Sequence, residues 1–221
     1  GTVGYKTNSE IAKERNIFFD TRSKVELYYD LEKEKKYKNL SFVIGTHMVN
    51  EYTKKMPLDN IRPVSNGQGN TKSIYCNENG KFDFLDLDMF GFPNSNSVYT
   101  NIKNFDLVML GDSFTKGCGV SLSNKPSNLL SDKYGYKVLN LANGGALLSE
   151  IAAYREIGKN YSSKYVILNF YEGNDFNDLQ YELKTYLKNY EDINFYQSLE
   201  TKTKEVDLIY KDIVKKELDK A

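Results

Sequence analysis

The sequence predicts an α/β protein, in which a three-layer α/β/α, flavodoxin-like parallel sheet follows an N-terminal α+β extension. Three mainly apolar runs in the second half of the chain have the length of buried strands, at residues 105–110, 138–141 and 165–171. Each run ends in a polar turn that contains glycine, and segments with helical periodicity separate the runs. Strands that alternate with helices in this way form parallel sheets that are covered on both faces.

The helices between these strands have recognisable ends and faces. Pro126 suits the first turn of a helix, where its missing N–H group costs least, and Gly135 is a typical helix stop. Ile151, Tyr154 and Ile157 lie on one face of a second helix. The predicted elements are strands over residues 105–110, 137–141 and 165–171, and helices over residues 126–134, 149–157, 178–187 and 203–220.

The N-terminal part of the chain differs in texture from the predicted sheet region. It holds three of the four prolines and lacks long apolar runs. Segments 73–76 and 81–85 flank Asn79-Gly80, a pair that favours the positive φ of a tight hairpin turn. We therefore divide the chain into an accessory extension over residues 1–100 and an α/β domain over residues 101–221.

The composition is that of a globular protein without a charged partner. Of the 221 residues, 40% are hydrophobic and 27% are charged, and 30 basic residues balance 30 acidic ones. With no net charge, there is no electrostatic case for binding nucleic acid or anionic lipid. No run approaches the roughly 18 apolar residues of a membrane helix, and no signal peptide is visible. A membrane anchor upstream of this sequence stays open.

The cysteine count predicts no disulfide framework. Cys76 and Cys118 are the only two cysteines, and we interpret them as separate free thiols. Cys118 has no histidine near it in the sequence, which makes it a poor candidate nucleophile.

The three turns after the predicted strands carry the chemistry. Ser113 follows the first strand, Gly144 and Gly145 follow the second, and Asn174 follows the third. Because the ends of parallel strands meet at one sheet edge, we expect a hydroxyl, backbone N–H groups and a side-chain amide to surround one point. That set is a nucleophile with an oxyanion hole, in which Gly145 is the predicted backbone donor and Gly144 its adjacent competitor. Taken singly, Ser113 would cap a helix and Asn174 would shape a loop.

In order and rough spacing, Gly111-Asp112-Ser113, the glycine turn after Asn140, and Gly173-Asn174-Asp175 resemble the first three sequence blocks of the SGNH (GDSL-type) hydrolases. The resemblance covers residues 104–190 and is closest to members associated with bacterial surface polysaccharides. It implies that Ser113 is the nucleophile, and that the N–H groups of Ser113 and Gly145 and the Asn174 amide are the oxyanion donors. Asp112, Gly144, Gly173 and Asp175 are expected to support these turns.

The resemblance implies ester chemistry on O-acyl groups, with O-acetyl groups of carbohydrate as the softer expectation for the substrate. The expected substrate is thus a small acyl ester or an O-acylated glycan, and the expected location is the periplasm or cell envelope. Hydrolase and acyltransferase are equally compatible with the motifs. No cofactor is expected, and no cluster of His, Cys, Asp and Glu has the spacing of a metal site.

The family's fourth block, an Asp-x-x-His that supplies the general base, is missing. His47 is the only histidine; it precedes Ser113 and has no aspartate three residues before it, so we expect it to be non-catalytic. The sequence is therefore expected to be a piece of a longer protein, cut before its base. The alternative is a non-catalytic SGNH-like module that binds glycans through some of the 18 tyrosines.

Overall fold

The computed structural model describes residues 6–57 and 59–221, so that the first five residues of the predicted extension lie outside the described part. It contains two three-stranded sheets with helices packed around them. The strands are β1 (Leu40–Phe42), β2 (Lys72–Ile74), β3 (Phe84–Asp86), β4 (Asn104–Leu110), β5 (Val138–Asn140) and β6 (Ser162–Leu168). The helices are α1 (Asn8–Glu14), α2 (Lys24–Lys33), α3 (Thr46–Thr53), α4 (Ser97–Asn101), α5 (Ser113–Lys116), α6 (Pro126–Tyr134), α7 (Leu147–Glu156), α8 (Asp175–Glu182) and α9 (Thr203–Leu218).

The second sheet is the parallel sheet that the sequence predicts. Its order is β5-β4-β6, with β4 in the centre and parallel to both neighbours. Val108 and Leu110 of β4 pack with Ala153 of α7 on one face. Leu107 and Met109 point into a smaller core on the other face, where Leu130 of α6 joins them. Helices thus cover both faces of β4, and the α/β class is confirmed.

The first sheet belongs to the N-terminal part of the chain. β1 and β2 are parallel, and β2 and β3 form the antiparallel pair predicted around Asn79-Gly80. The connecting loop is longer than a two-residue turn, and Gly80 has a φ of 82°. The largest apolar core combines side chains from both predicted parts of the chain, such as Phe42 and Ile74 with Tyr210 and Ile213. The boundary near residue 100 stays a prediction.

The two outer strands of the parallel sheet have different surroundings. On the β5 side, the Asn94 side chain donates to the Asn140 carbonyl and accepts from the Asn140 N–H, both at 2.9 Å. All three residues of β5 are buried. On the other side, β6 has no further strand beside it in the described residues, and Tyr165 is 67% exposed.

The prediction of two free thiols is wrong. Cys76 and Cys118 form a disulfide bond across 42 residues of sequence. Cys76 follows β2 and Cys118 lies two residues after α5, so that the bond joins the N-terminal sheet to the segment that begins at Ser113. The pairing has no signature in the sequence because both residues lie in loops that only the tertiary fold brings together.

Several element boundaries differ from the predicted ones. β6 begins at Ser162 rather than Tyr165, and α7 begins at Leu147 rather than Ser149. The predicted helix over 178–187 is α8, which begins at Asp175, followed by a 3₁₀ turn over Tyr186–Glu191. Among residues 6–57 and 59–221, no helix combines the length and the apolar character needed to cross a membrane.

Candidate functional site

Ser113 is the first residue of α5 and comes directly after the end of the central strand. Gly111 has a φ of 153°, and a side chain there would collide with Thr115, so this sharp turn requires glycine. Asp112 is the N-cap residue of α5, and its carboxylate accepts the Phe114 N–H at 2.9 Å. Since Asp112 caps the helix, Ser113 is not needed for that task.

The three turns that follow β4, β5 and β6, called here the three site turns, meet at one edge of the sheet. They comprise residues 111–113, 143–145 and 173–175. The Asn143 N–H donates to the Gly111 carbonyl at 3.1 Å, which joins the turn after β5 to the serine turn. The Asn169 N–H donates to the Leu110 carbonyl at 3.0 Å, which continues the pairing of β6 to the end of β4.

The backbone N–H groups of Ser113 and Gly144 both lie at this edge and make no hydrogen bond within the described part of the chain. Gly144 is exposed and has a φ of 82°. The Gly145 N–H, in contrast, is buried and donates to Asn143 Oδ1 at 2.9 Å. Of the two adjacent glycines, Gly144 is therefore the one whose N–H group is available to a ligand.

Asn174 lies at the start of α8 and is exposed, as is Gly173. Its side-chain amide donates to Asp178 Oδ2 at 2.5 Å. The amide would have to leave that carboxylate to serve an oxyanion. Asp175 is buried and accepts the Tyr171 N–H at 2.6 Å, so it supports its turn through the backbone as expected.

A group of four buried carboxyl side chains includes Asp112 of the serine turn and is called here the acidic cluster: Asp112, Glu150, Asp175 and Glu182. Glu150 is 1% exposed, and neither of its oxygens has a hydrogen-bond partner in the described residues. Burial, together with the charges of Asp175, Glu182 and Asp112, raises the pKa of Glu150 to about 9. Glu150 is therefore protonated at neutral pH.

Glu182 is held differently from Glu150. Its carboxylate accepts the N–H groups of Ala146 at 2.8 Å and Leu148 at 2.9 Å, together with the Ser149 hydroxyl at 2.6 Å. These donors belong to the first turn of α7, where unpaired N–H groups favour a negative charge. Burial raises the pKa of Glu182, and these hydrogen bonds oppose that rise.

Three lysines form a second group of buried charges, called here the basic cluster: Lys24, Lys116 and Lys125. Lys116 is 3% exposed, and its Nζ donates to Asn66 Oδ1. Lys125 Nζ donates to the Gly117 carbonyl at 3.0 Å. Within the described ranges, none of the three has a carboxylate at ion-pair distance.

The pKa of every lysine in the basic cluster is lowered, in each case mainly by burial. For Lys116 the pKa falls to about 7, because the charges of Lys24 and Lys125 add to its burial while Asp112 opposes the shift. Tyr75 lies between the lysines, with Lys116 Nζ 5.4 Å and Lys125 Nζ 5.7 Å from the centre of its ring.

His47 lies on α3, with its ring 5.2 Å from that of Tyr181. No hydrogen bond joins it to Ser113 in the part of the chain that the structure describes. In residues 6–57 and 59–221, no group of three or more His, Cys, Asp and Glu side chains is arranged to hold a metal ion.

Exposed aromatic rings border the serine turn on the β6 side. Phe114 and Tyr171 are 64% and 49% exposed, and their ring centres are 5.1 Å apart. An open cleft of about 670 Å³ lies between these two residues, Asp112 and the end of β6. Phe170 and Phe176 form a second pair, 4.9 Å apart.

The sequence did not indicate the buried charges beside Ser113. Lys116, Glu150 and Glu182 are residue types that normally lie at the surface, and no pattern in the sequence marks them as buried. Only their distance along the chain from the motif residues could have drawn attention to them: Lys116 is three residues after Ser113, and Glu150 is five residues after Gly145.

The chain matches no protein-family model, no curated protein and no solved structure. The case for a function therefore depends on the motifs and on the geometry of the site.

Proposed function

We propose that this protein is a serine esterase or acyl-transfer enzyme with an SGNH-like fold, acting on O-acyl esters. The observation that carries the proposal is the position of Ser113 at the end of the central parallel strand, with its hydroxyl making no hydrogen bond to any described residue. The unpaired N–H groups of Ser113 and Gly144 lie on adjoining turns at the same edge.

In the proposed reaction, Ser113 Oγ attacks the ester carbonyl carbon and the hydroxyl proton passes to a base. Negative charge develops on the carbonyl oxygen, and the Ser113 and Gly144 N–H groups would donate hydrogen bonds to it. The Asn174 amide would add a third donor once it leaves Asp178. One such donor is worth about 10²–10³-fold in kcat. Water then releases the acid, or a sugar hydroxyl accepts the acyl group.

The aromatic rings at the site support a carbohydrate ester as the substrate. Phe114 and Tyr171 expose flat apolar surfaces next to the serine turn, and such surfaces pack against the apolar face of a sugar ring. The same rings favour a second candidate function, which is glycan binding without catalysis.

The test is the release of acetate from p-nitrophenyl acetate and from an acetylated oligosaccharide. We expect Ser113→Ala to lower the rate at least about 10³-fold, because no other group supplies the nucleophile. Asn174→Ala should lower kcat by about 10²-fold. Ser123→Ala, at an exposed serine outside the three site turns, is the matched control and should keep the native rate.

Undiminished turnover in Ser113→Ala would contradict the esterase. Glycan binding that is the same in the native chain and in Ser113→Ala, without any turnover by either, would instead support the binding module. Loss of that binding in Phe114→Ala would locate it at the aromatic rings.

A further inference from the structure

We propose that Lys116 is the proton acceptor for Ser113, so that the base for the reaction lies within this chain. The inference rests on the ester chemistry proposed above and names a residue that the motif comparison did not include.

Lys116 lies close to Ser113 along the chain and in space. The two residues are the first and last of α5, and side chains three positions apart on a helical turn are neighbours. The α5 turn is closed by the Lys116 N–H, which donates to the Asp112 carbonyl at 3.1 Å. Tyr75 contacts both, since its hydroxyl is 3.5 Å from the Ser113 carbonyl oxygen and its ring faces Lys116 Nζ.

The amine of Lys116 also lies next to the proposed oxyanion donor. A Cβ atom built on Gly144 would be 3.5 Å from Lys116 Nζ and 3.6 Å from Asn66 Oδ1. Nζ is thus beneath the turn that carries the free Gly144 N–H. A base at this position is close to the N–H group that would stabilise the developing charge, and it lies on the same helical turn as the nucleophile.

The surroundings of Lys116 favour the neutral amine, which is the form that accepts a proton. The charged groups facing it are Lys24 from α2, Lys125 from the segment before α6, and Asp112 from its own turn. The two lysines and burial lower the pKa, and only Asp112 raises it, so that the pKa is about 7. A base is most effective when its pKa is near the working pH.

The proton balance closes with this single base. Neutral Lys116 Nζ takes the proton of Ser113 Oγ as the new C–O bond forms and the carbonyl electron pair moves to oxygen. When the tetrahedral intermediate collapses, the ester C–O bond breaks and the leaving alkoxide takes the proton from the Lys116 ammonium. Water then attacks the acyl-serine, with Lys116 accepting its proton and returning it to Ser113. Serine–lysine pairs are an established variant of the serine–histidine arrangement.

Asn66 explains how the amine is held when it is not bonded to the serine. Lys116 Nζ donates to Asn66 Oδ1, while Ser113 Oγ has no hydrogen-bond partner among the described residues. Catalytic hydrogen bonds of this kind often form only in the complex with substrate. In the proposed step, Nζ leaves Asn66 Oδ1 and accepts the proton of Ser113 Oγ.

The experiment measures kcat/KM against pH for p-nitrophenyl acetate with the native chain, Lys116→Met and Lys116→Arg. We expect the native rate to rise with pH around an inflection near 7. In Lys116→Met, kcat/KM should fall about 10²–10⁴-fold, and the inflection in its pH profile should disappear. Lys116→Arg should not restore the rate, because a guanidinium keeps its proton.

Lys125→Met is the matched control, since Lys125 is equally buried and faces the same tyrosine. Removing its charge should move the inflection to higher pH and leave the plateau rate near the native one. Circular dichroism establishes that each variant folds, and ¹³C NMR of labelled lysine follows the titration of Lys116 directly.

The outcomes separate this inference from the proposed function. Native rate and inflection in Lys116→Met, with Ser113→Ala inactive, would refute the lysine and keep the esterase. Full activity in Lys116→Arg would assign an electrostatic role and refute the base. Turnover that depends on Ser113 but appears only on adding imidazole would also refute the lysine, because the chain would then lack a base. Turnover that survives Ser113→Ala would refute both.

Discussion

The acidic and basic clusters near Ser113 bury like charges by different means. In the acidic cluster, Glu182 keeps its hydrogen bonds to backbone donors of α7, while Glu150 has no partner and takes up a proton. In the basic cluster, Lys125 bonds to the Gly117 carbonyl and Lys116 is close to losing its proton. Each cluster thus holds one side chain by backbone hydrogen bonds and has another whose pKa is shifted further towards the neutral form.

This difference indicates where reactive groups arise. A charge that backbone groups satisfy is fixed in place and stabilises the fold. A charge without backbone partners has the larger pKa shift, and groups with strongly shifted pKa values concentrate at functional sites. By this criterion Glu150 and Lys116 are the candidates for chemistry, while Glu182 and Lys125 are structural.

Removing the Glu182 carboxylate should destabilise the protein more than any other change that we propose. Glu182→Ala leaves the N–H groups of Ala146 and Leu148 and the Ser149 hydroxyl buried without an acceptor, which should lower the free energy of unfolding by about 3–5 kcal/mol. Urea unfolding measures the change. Glu191→Ala, at an exposed position, is the control and should stay within about 0.5 kcal/mol of the native value. Equal stability of the two variants would show that Glu182 is not holding α7.

The second largest decrease in stability should follow from loss of the Cys76–Cys118 disulfide, which joins the N-terminal sheet to the segment that begins at Ser113. Replacing both cysteines by serine should lower the free energy of unfolding by about 2–4 kcal/mol, because the open chain gains conformational freedom when unfolded. Urea unfolding with and without reductant checks this. Reductant should destabilise the native protein and leave the double variant unchanged, and a native protein insensitive to reductant would refute the bond.

The smallest effect is the pH dependence that Glu150 confers. Its pKa is about 9 in the folded protein and 4.5 ordinarily, so its contribution to stability is fully present below pH 4.5 and is lost as the pH rises towards 9. Glu150→Gln removes this dependence on pH, and the free energy of unfolding of the variant should exceed that of the native protein by about 1–3 kcal/mol at pH 8. Thermal unfolding between pH 5 and about pH 9 measures the difference. A difference between the two proteins that does not vary with pH would contradict the raised pKa.

Lys116 changes the free energy of unfolding with pH in the opposite direction to Glu150, which gives the same measurement a second, distinct expectation. Its pKa is lowered from 10.5 to about 7, so its contribution is present above pH 10.5 and is lost as the pH falls towards 7. The two slopes oppose each other between about pH 7 and pH 9. Native stability should therefore be flattest there, and Glu150→Gln should uncover a rise with pH.

The parts of the fold that the sequence predicted are those with local signals. The apolar run of β4 and the helix between Pro126 and Gly135 were predicted nearly to the residue. The start of β6 was missed because Ser162, Ser163 and Lys164 are polar, although their backbone pairs with β4 whatever the side chains are. Because strand pairing uses backbone groups, the amino-acid composition of a strand end does not have to reveal it.

The site was predictable only in its motif residues. Ser113, Gly144 and Asn174 follow strands, and strand ends are visible in the sequence. The burial of Lys116 and Glu150 depends on elements distant in sequence, such as the loop that carries Asn66 and the start of α8. The disulfide was missed for the same reason, since 42 residues separate its cysteines.

The hydrogen bonds between Asn94 and Asn140 determine on which side of the parallel sheet a further strand can be added. One side-chain amide occupies both the N–H and the C=O of Asn140, which are the groups that another strand beside β5 would need. On the opposite side, β6 pairs with no further strand among the described residues, so that its outward backbone groups can accept one. A further strand, from this polypeptide or from another molecule, would therefore be added beside β6, and a single asparagine acts as the terminator of the opposite side.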